Sequence, residues 1–319
     1  MARQRGTTPP TPPSGRMVTI DGVELRLALP DEMPILAVGS EAVKDQLRAC
    51  WLTAPQSSAQ EPPLSPRVLG PPGVGKTTVA FTVAKEFSAE VYLFQCTSDT
   101  RPEDLLITPV IDSGQTIRYH ASALATAMIR GGVCILDEGN RMSEKSWASL
   151  APLLDNRRYV ESIIAGIKIH ADPNFRVAVT MNEDSSTYEI PEYILSRLQP
   201  QVRLGFPSAE EEKEILKVNL PYADEELLGL VSEFLGRCHK YELPVASRDG
   251  IHIVRYAGRL VQKLRVSPAE AITQAAEQIV GEEYSQYLDP TFEPEQQPDL
   301  SFQDAEYFLT RFKPGGRSN

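Results

Sequence analysis

The sequence predicts an α/β fold: a central parallel sheet with helices on both faces, followed by a smaller all-helical part. Three observations predict it. Short apolar runs alternate with amphipathic helical patterns as far as residue 206, the mark of strand–helix–strand crossovers. One strand-to-helix junction reads Gly70-Pro71-Pro72-Gly73-Val74-Gly75-Lys76-Thr77, which fits the phosphate-binding pattern G-x-x-x-x-G-K-[ST] at every fixed position. From Ser208 onward the strand pattern stops and helical periodicities follow one another.

Residues 1–16 hold prolines and arginines without apolar periodicity and read as a disordered tail. Residues 17–29 alternate about Asp21-Gly22, as a hairpin does. Residues 41–53 form an amphipathic pattern with Ser40 as N-cap, and 54–66 make an exposed Gln/Ser/Pro-rich loop. The strand Arg67-Val68-Leu69 then enters the glycine loop. Glycines there remove Cβ atoms so that successive N–H groups can wrap a phosphate. Lys76 supplies a charge for the β- and γ-phosphates, and Thr77 offers a hydroxyl to Mg²⁺; Thr78 continues the same binding run. Thr77 opens a helix to residue 87 whose dipole favours an anion at its start.

A second strand spans 91–96, Pro102 suits a first helical position, 110–119 reads as a hairpin turning at 112–114, and 122–129 as a short helix. The run Val133-Cys134-Ile135-Leu136 reads as a buried parallel strand that ends in Asp137-Glu138. Ligands sit at the carboxyl ends of strands in open α/β sheets. Asp137 there suits a Mg²⁺ ligand and Glu138 a base for an attacking water. Residues 143–156 read as a helix, 159–169 as a hairpin about Ala165-Gly166, and 176–181 as another buried strand ended by Asn182, whose carboxamide can orient water. Residues 202–206 are the last strand candidate. Four helices follow, over 208–219, 224–241, 247–265 and 268–287, with a capping box at Ser208/Glu211 and Ser247 as N-cap just before Arg248. Residues 289–298 read as a linker and 302–312 as a last short helix. The divisions are a tail (1–16), an α/β nucleotide-binding domain (17–206), a helical lid (207–288) and a C-terminal linker and tail (289–319).

The totals narrow the function. The chain has 319 residues, room for one large α/β domain and a smaller one. Its net charge of −11 disfavours a general nucleic-acid or membrane-surface binder, which needs a basic face. Four scattered cysteines without C-x-x-C read as reduced, buried residues of a cytoplasmic protein. No apolar run reaches the length of a membrane span, and histidine spacing offers no zinc site.

The chain resembles the MoxR-like AAA+ ATPases over residues 39–265. The resemblance rests on GPPGVGKT (70–77), TSDTRPEDLL (97–106), ILDEGNRM (135–142), AVTMN (178–182) and IPEYILSRL (190–198). It implies an αβα nucleotide domain with a four-helix lid, ATP and Mg²⁺ as cofactors, and hydrolysis at subunit interfaces of a homo-oligomeric, commonly six-membered ring. It implies chaperone-like remodelling or maturation of a protein partner, often one carrying a von Willebrand factor A domain. Asn182 falls on the family's first sensor, Arg197 on the arginine finger that reaches a neighbour's γ-phosphate, and Arg248 on the second sensor. Arg141, Arg157 and Arg158 are rival fingers. Three positions depart from the family pattern: Gly139 replaces the usual Ile and is expected to loosen its turn, Met181 replaces Gln, and Ala246-Ser247-Arg248 lacks the usual Pro. A nucleic-acid motor and a nucleotide switch with little turnover are the alternative readings.

Overall fold

The computed structural model describes residues 16–52, 61–111, 115–183 and 189–294. The expected tail up to residue 15, the turn at 112–114 and the helix at 302–312 lie outside them. The N-terminal hairpin joins β1 (Met17–Ile20) to β2 (Val23–Arg26), turning on Asp21 and Gly22 at positive φ. Then come α1 (Glu41–Trp51), β3 (Arg67–Gly70), α2 (Lys76–Phe87), β4 (Val91–Gln95) and α3 (Pro102–Leu105). A second hairpin, β5 (Ile107–Ile111) and β6 (Ile117–Ala121), precedes α4 (Ala123–Arg130), which Ser122 caps. Next are β7 (Val133–Asp137), α5 (Glu144–Leu150), the hairpin β8 (Tyr159–Ser162) and β9 (Ile167–His170), β10 (Arg176–Asn182), α6 (Glu192–Leu195) and β11 (Gln201–Arg203). The chain then turns helical: α7 (Ala209–Asn219), α8 (Glu225–Lys240), α9 (Ser247–Leu264), α10 (Pro268–Ile279) and α11 (Glu282–Ser285).

The central sheet is parallel throughout, in the order β11-β3-β10-β7-β4. Side chains alternate across it as the two-residue strand period demands. Cys134 and Leu136 of β7 join an apolar cluster with Met128, Trp147 and Val179; Val133 and Ile135 join the opposite one with Phe81, Val68 and Ala178. Both faces of β7 are therefore sealed, which is why its run is continuously apolar. The helices after residue 208 keep a separate cluster, centred on Leu216, Phe234, Leu235 and Ile253. A smaller sheet, β1-β2-β6-β5, shares no strand ladder with the central one, and its Leu25, Ile107 and Ala121 belong to the same apolar cluster as Cys134 and Leu136.

Several expected boundaries shift. α5 ends at Leu150 rather than 156: Ala151 still has helical angles, but Pro152 has no N–H to extend the ladder. The last strand covers Gln201–Arg203 rather than 202–206, although Leu204 still donates to the Leu69 carbonyl at 2.8 Å. The expected helix 268–287 breaks at Gly281 (φ 96°) into α10 and α11. All four cysteines are buried and unbonded, and burial pushes the Cys50 thiol up to about 11.

Candidate nucleotide site

The site follows from strand pairing. β10 lies between β3 and β7, with Asn182 opposite Gly70 and Val179 opposite Leu136. The carboxyl ends of the three strands thus converge, and they deliver the glycine loop, Asp137-Glu138 and Asn182 to one edge. A Cβ at Gly70 would sit 2.1 Å from the Leu204 carbonyl oxygen, so only glycine lets β11 pass there. Gly73 and Gly75 hold positive φ of 82° and 96°, which lets the loop curl over the start of α2. That helix begins at Lys76, one residue earlier than the sequence pattern suggests.

Lys76 is almost wholly buried. Its ammonium donates to the carbonyls of Gly70 (2.9 Å) and Pro71 (2.8 Å). Burial pulls its pKa below the ordinary lysine value and Arg248 adds to the effect, while Asp137, Glu138 and Glu183 oppose it. Thr77 donates its hydroxyl to Asp137 Oδ1 at 2.6 Å. A residue outside the sequence reading completes this contact. Thr180, buried in β10, donates to the same Asp137 oxygen and accepts the Glu138 N–H at 3.1 Å. Its only sequence signal is a hydroxyl inside an otherwise apolar strand.

Glu138 stands at a left-handed φ of 56° just beyond β7. Its carboxylate accepts from Gln95 Nε2 at 3.1 Å and Asn182 Nδ2 at 3.3 Å, and the Arg141 guanidinium forms an ion pair with it, with Nε 2.7 Å away. Asn140 donates to the Asn182 carbonyl at 2.8 Å. Gly139 does not loosen this turn. It is buried, and a Cβ there would lie 2.4 Å from Val179 Cγ1 and 3.2 Å from Trp147. The missing side chain is what lets the turn seat against β10 and α5.

The helical part closes over the loop. A Cβ at Gly73 would meet Ala246 Cβ at 3.0 Å and Arg248 Cβ at 3.3 Å. Beside them is a cavity of about 310 Å³, lined by Met33, Ile35 and Val38 on one wall, Val79 below, and Ile215, Ile251 and Arg248 on the other. The 33–40 wall was not singled out in the sequence, because it has no periodicity and gains meaning only from what faces it. Ser40 is not a side-chain cap. It adopts a left-handed φ of 55°, and its N–H donates to Glu211 Oε1 of α7 at 2.8 Å. Ser247 is not the N-cap of α9 either: Ala246 holds that position, its N–H bonded to Asp249, and the Ser247 hydroxyl turns inward to Glu212.

The candidate fingers lie in three settings. Arg197 and Arg157 share one carboxylate, Asp155: Arg157 binds it through Nε (3.1 Å) and Nη2 (2.8 Å), and Arg197 Nε lies 3.6 Å away. Arg157 is the first cause holding the Asp155 carboxyl down at about 2. Arg67 of β3 donates to the carbonyls of Leu195 (3.0 Å) and Leu198 (2.7 Å), and so ties the Arg197 segment to the strand that feeds the loop. Arg158 is turned into its own chain, bonded to the Phe175 carbonyl at 2.7 Å. Arg141 is paired with Glu138. Among the described residues, Arg197 makes no contact with its own glycine loop.

A glycine loop opening a helix, with a hydroxyl and two carboxylates at neighbouring parallel strand ends, defines a P-loop nucleotide-binding fold. Residues 68–198 match the AAA domain of the dynein-related subfamily. That stretch, somewhat under half of the chain, is similar to AAA+ ATPases, and its relatives include a MoxR-type protein. It is 29% identical over 149 residues to the uncharacterized protein YeaC of Bacillus subtilis, covering 46% of this chain and 44% of YeaC. It is 29% identical over 154 residues to the denitrification regulatory protein NirQ of Pseudomonas aeruginosa (46% and 56%). It is 28% identical over 149 residues to the chaperone MoxR1 of Mycobacterium tuberculosis (46% and 38%). The chain spans about half the length of the curated relatives it matches. A mutant RuvB of Thermotoga maritima has the same fold, with a TM-score of 0.53 at 17% identity, over 75% of this chain and 69% of that one. AAA+ proteins bind nucleotide, are in general nucleotide-hydrolysing ATPases and typically assemble as rings. Among the described residues no helix is long and apolar enough to cross a membrane.

Proposed function

We propose that this chain is a Mg²⁺-dependent ATPase that converts ATP and water to ADP and phosphate, and that it works in a homo-oligomeric ring to remodel or mature a protein partner. The observation that carries the reading is the Thr77–Asp137–Thr180–Glu138–Asn182 constellation beside the glycine loop. The cradle suits a triphosphate: glycines without Cβ atoms bring N–H groups to one point, and Lys76 stands ready beside them. Gly70, Pro71, Pro72, Gly73, Val74, Gly75, Lys76, Thr77 and Thr78 form the binding run. The cavity's apolar walls suit a flat heteroaromatic base.

Thr77 and Asp137 offer hard oxygen donors, the chemistry that Mg²⁺ prefers. Mg²⁺, when bound, neutralises charge on the β- and γ-phosphates. Glu138 accepts a proton from the attacking water, which Asn182 orients. Thr180 fixes the Asp137 and Glu138 backbone relative to β10. Arg248, at the edge of the cavity, reads the γ-phosphate, and α7–α11 form the lid that carries it. Arg197, outward of its own site and braced by Asp155 and Arg67, serves the neighbouring subunit's ATP. The name of MoxR1 supports a chaperone-like role, and the resemblance extends this to a six-membered ring with a separate von Willebrand A-domain partner in the cytoplasm. The net charge of −11 weighs against a nucleic-acid substrate.

The test separates binding from chemistry. Lys76→Ala is expected to lose both tight ATP binding and turnover. Glu138→Gln keeps shape without basicity, and is expected to bind ATP normally while turnover drops about 10²–10⁴-fold. Nucleotide affinity measured beside steady-state phosphate release decides it. Unchanged turnover in Glu138→Gln removes Glu138 from the mechanism.

A further inference from the structure

One polar cluster outside the nucleotide site touches the helix that carries Arg248. Ser247 opens α9 one residue ahead of Arg248, and its hydroxyl donates to Glu212 Oε1 at 2.8 Å. Glu212 lies in the first turn of α7 and is completely buried, and its second oxygen, Oε2, has no protein partner. A buried carboxylate lacking partners is costly. From α8, His239 faces the same point, with Nε2 2.9 Å from the Val245 carbonyl and 3.8 Å from Glu212 Oε1. Its ring stacks on Phe206 at 4.2 Å, in the segment joining β11 to α7. Three turns of helix and the connecting segment therefore meet at one half-satisfied carboxyl.

The groups facing Glu212 are Glu211 on its own helix, His239 on α8 and Ser247 on α9. Burial pushes the Glu212 carboxyl up to about 7; Ser247 opposes this, and the like charge of Glu211 adds to it. Burial pushes His239 below its ordinary value, and its bond to the Val245 carbonyl opposes this. Packing makes the contact consequential. A Cβ at Gly250, one turn into α9, would lie 2.5 Å from Leu235 of α8, so the first turn of α9 cannot slide without opening this seam.

We propose that Glu212 is a positioning residue for Arg248: as the neutral acid it lets α7, α8 and α9 close over it and sets the guanidinium at the nucleotide cavity, and as the carboxylate its unpartnered Oε2 draws water into the seam and loosens the first turn of α9, even though the Ser247 bond itself persists. The proton exchanges with solvent, and no covalent step is involved. This rests on the reading of Arg248 as the residue that senses the γ-phosphate.

The experiment measures the ratio of ATP to ADP affinity, with Mg²⁺, for the full chain and for Glu212→Gln, Glu212→Ala and Arg248→Ala. Glu212→Gln keeps an acceptor for Ser247 but cannot ionise. Between about pH 6 and about pH 8.5 the wild-type preference for ATP is expected to fall about tenfold relative to Glu212→Gln. That comparison cancels the titration of the nucleotide itself. Glu212→Ala is expected to show the weak preference at every pH. Parallel pH profiles for wild type and Glu212→Gln overturn the proposal. A wild-type preference that survives in Arg248→Ala instead overturns the sensor reading beneath it, a different signature. A measurement on the wild type alone guards against misfolded variants. Hydrogen exchange at the start of α9, corrected for intrinsic rate, is expected to quicken with pH while the α8 amides do not. Equal behaviour of the two helices contradicts the proposal.

Discussion

The phosphate end of the sheet and the junction of α7 with α9 are both polar clusters beside one cavity, yet they are built differently. At the sheet, the charged groups are partnered within the chain. Lys76 has two carbonyls, Asp137 has Thr77 and Thr180, and Glu138 has Arg141, Gln95 and Asn182. Gln95, Asp137, Thr180 and Asn182 sit on three parallel strands locked by a common ladder, and Lys76 and Thr77 open α2 beside them. At the helical junction, Glu212 keeps one oxygen unpartnered and His239 one nitrogen. The holding groups come from separate helices and a connecting segment. The difference teaches where motion belongs: the end pinned by the strand ladder is rigid and pre-organised, while the junction of separate helices has a second arrangement within reach.

The comparison can be broken first through pH. Glu212 has its carboxyl pKa raised from about 4.5 in the unfolded chain to about 7 in the fold. Between those values the folded state holds a proton that the unfolded state has released. Stability is therefore greatest below the unfolded value and falls as pH rises, by about 3 kcal/mol across that window. His239, with its value lowered by burial, works the other way and costs stability as pH falls below the ordinary histidine range. Glu212→Gln isolates the first effect. Urea melts at both ends of the window are expected to show that the variant gains on wild type as pH rises, and equal slopes count against a buried, neutral Glu212.

The second break is at the rigid end. Gly139→Ala places a Cβ 2.4 Å from Val179 Cγ1. Overpacking of this kind costs about 1–3 kcal/mol, read as a lower urea midpoint with an unchanged slope. Because Glu138 precedes the strained position, turnover is expected to fall further than ATP affinity. A variant as stable and active as wild type shows that the turn is loose after all. The smallest effect belongs to Thr180→Val, which keeps shape and removes the hydroxyl shared by Asp137 and the Glu138 N–H. The lost bond is worth about 1 kcal/mol, and the measurement is kcat with KM for ATP nearly unchanged. An equal rise in KM assigns Thr180 to binding instead.

How much could be read in advance follows from sequence distance. The glycine loop and Asp137-Glu138 are local words, each legible because its residue types sit within eight positions or fewer of one strand or turn. Arg197 and Arg248 were reachable only through resemblance, since an arginine at an element end has many bland explanations, and Asn182 was legible only as a strand-ending carboxamide able to orient water. Thr180, Gln95 and Asn140 gain their contacts from β4, β7 and β10 lying side by side, a fact of pairing that strand propensity does not encode. The Ser40–Glu211 contact spans 171 residues and Ser247–Glu212 spans 35. The capping box at Ser208 was legible as a helix start, but not that Glu211 also reaches across to the cavity wall. Gly139 was misread for the same reason: a glycine in a turn suggests freedom until Trp147 and Val179 are seen against it.

The central claim is that each site is divided, with base and cradle from one subunit and Arg197 from the next. An arginine finger is worth roughly 10³–10⁵ in rate, so Arg197→Ala is expected to bind ATP nearly normally and hydrolyse it very slowly. Glu138→Gln fails for a different reason and keeps its arginine. Mixing the two variants, with subunit exchange first established by energy transfer between labelled copies, tests the division directly. Wherever a Glu138→Gln subunit presents Arg197 to an Arg197→Ala neighbour, that neighbour has its own Glu138 and a borrowed guanidinium. Phosphate release is expected to reappear in the mixture although neither variant works alone; exchange without any recovery of activity contradicts an Arg197 that acts across the interface.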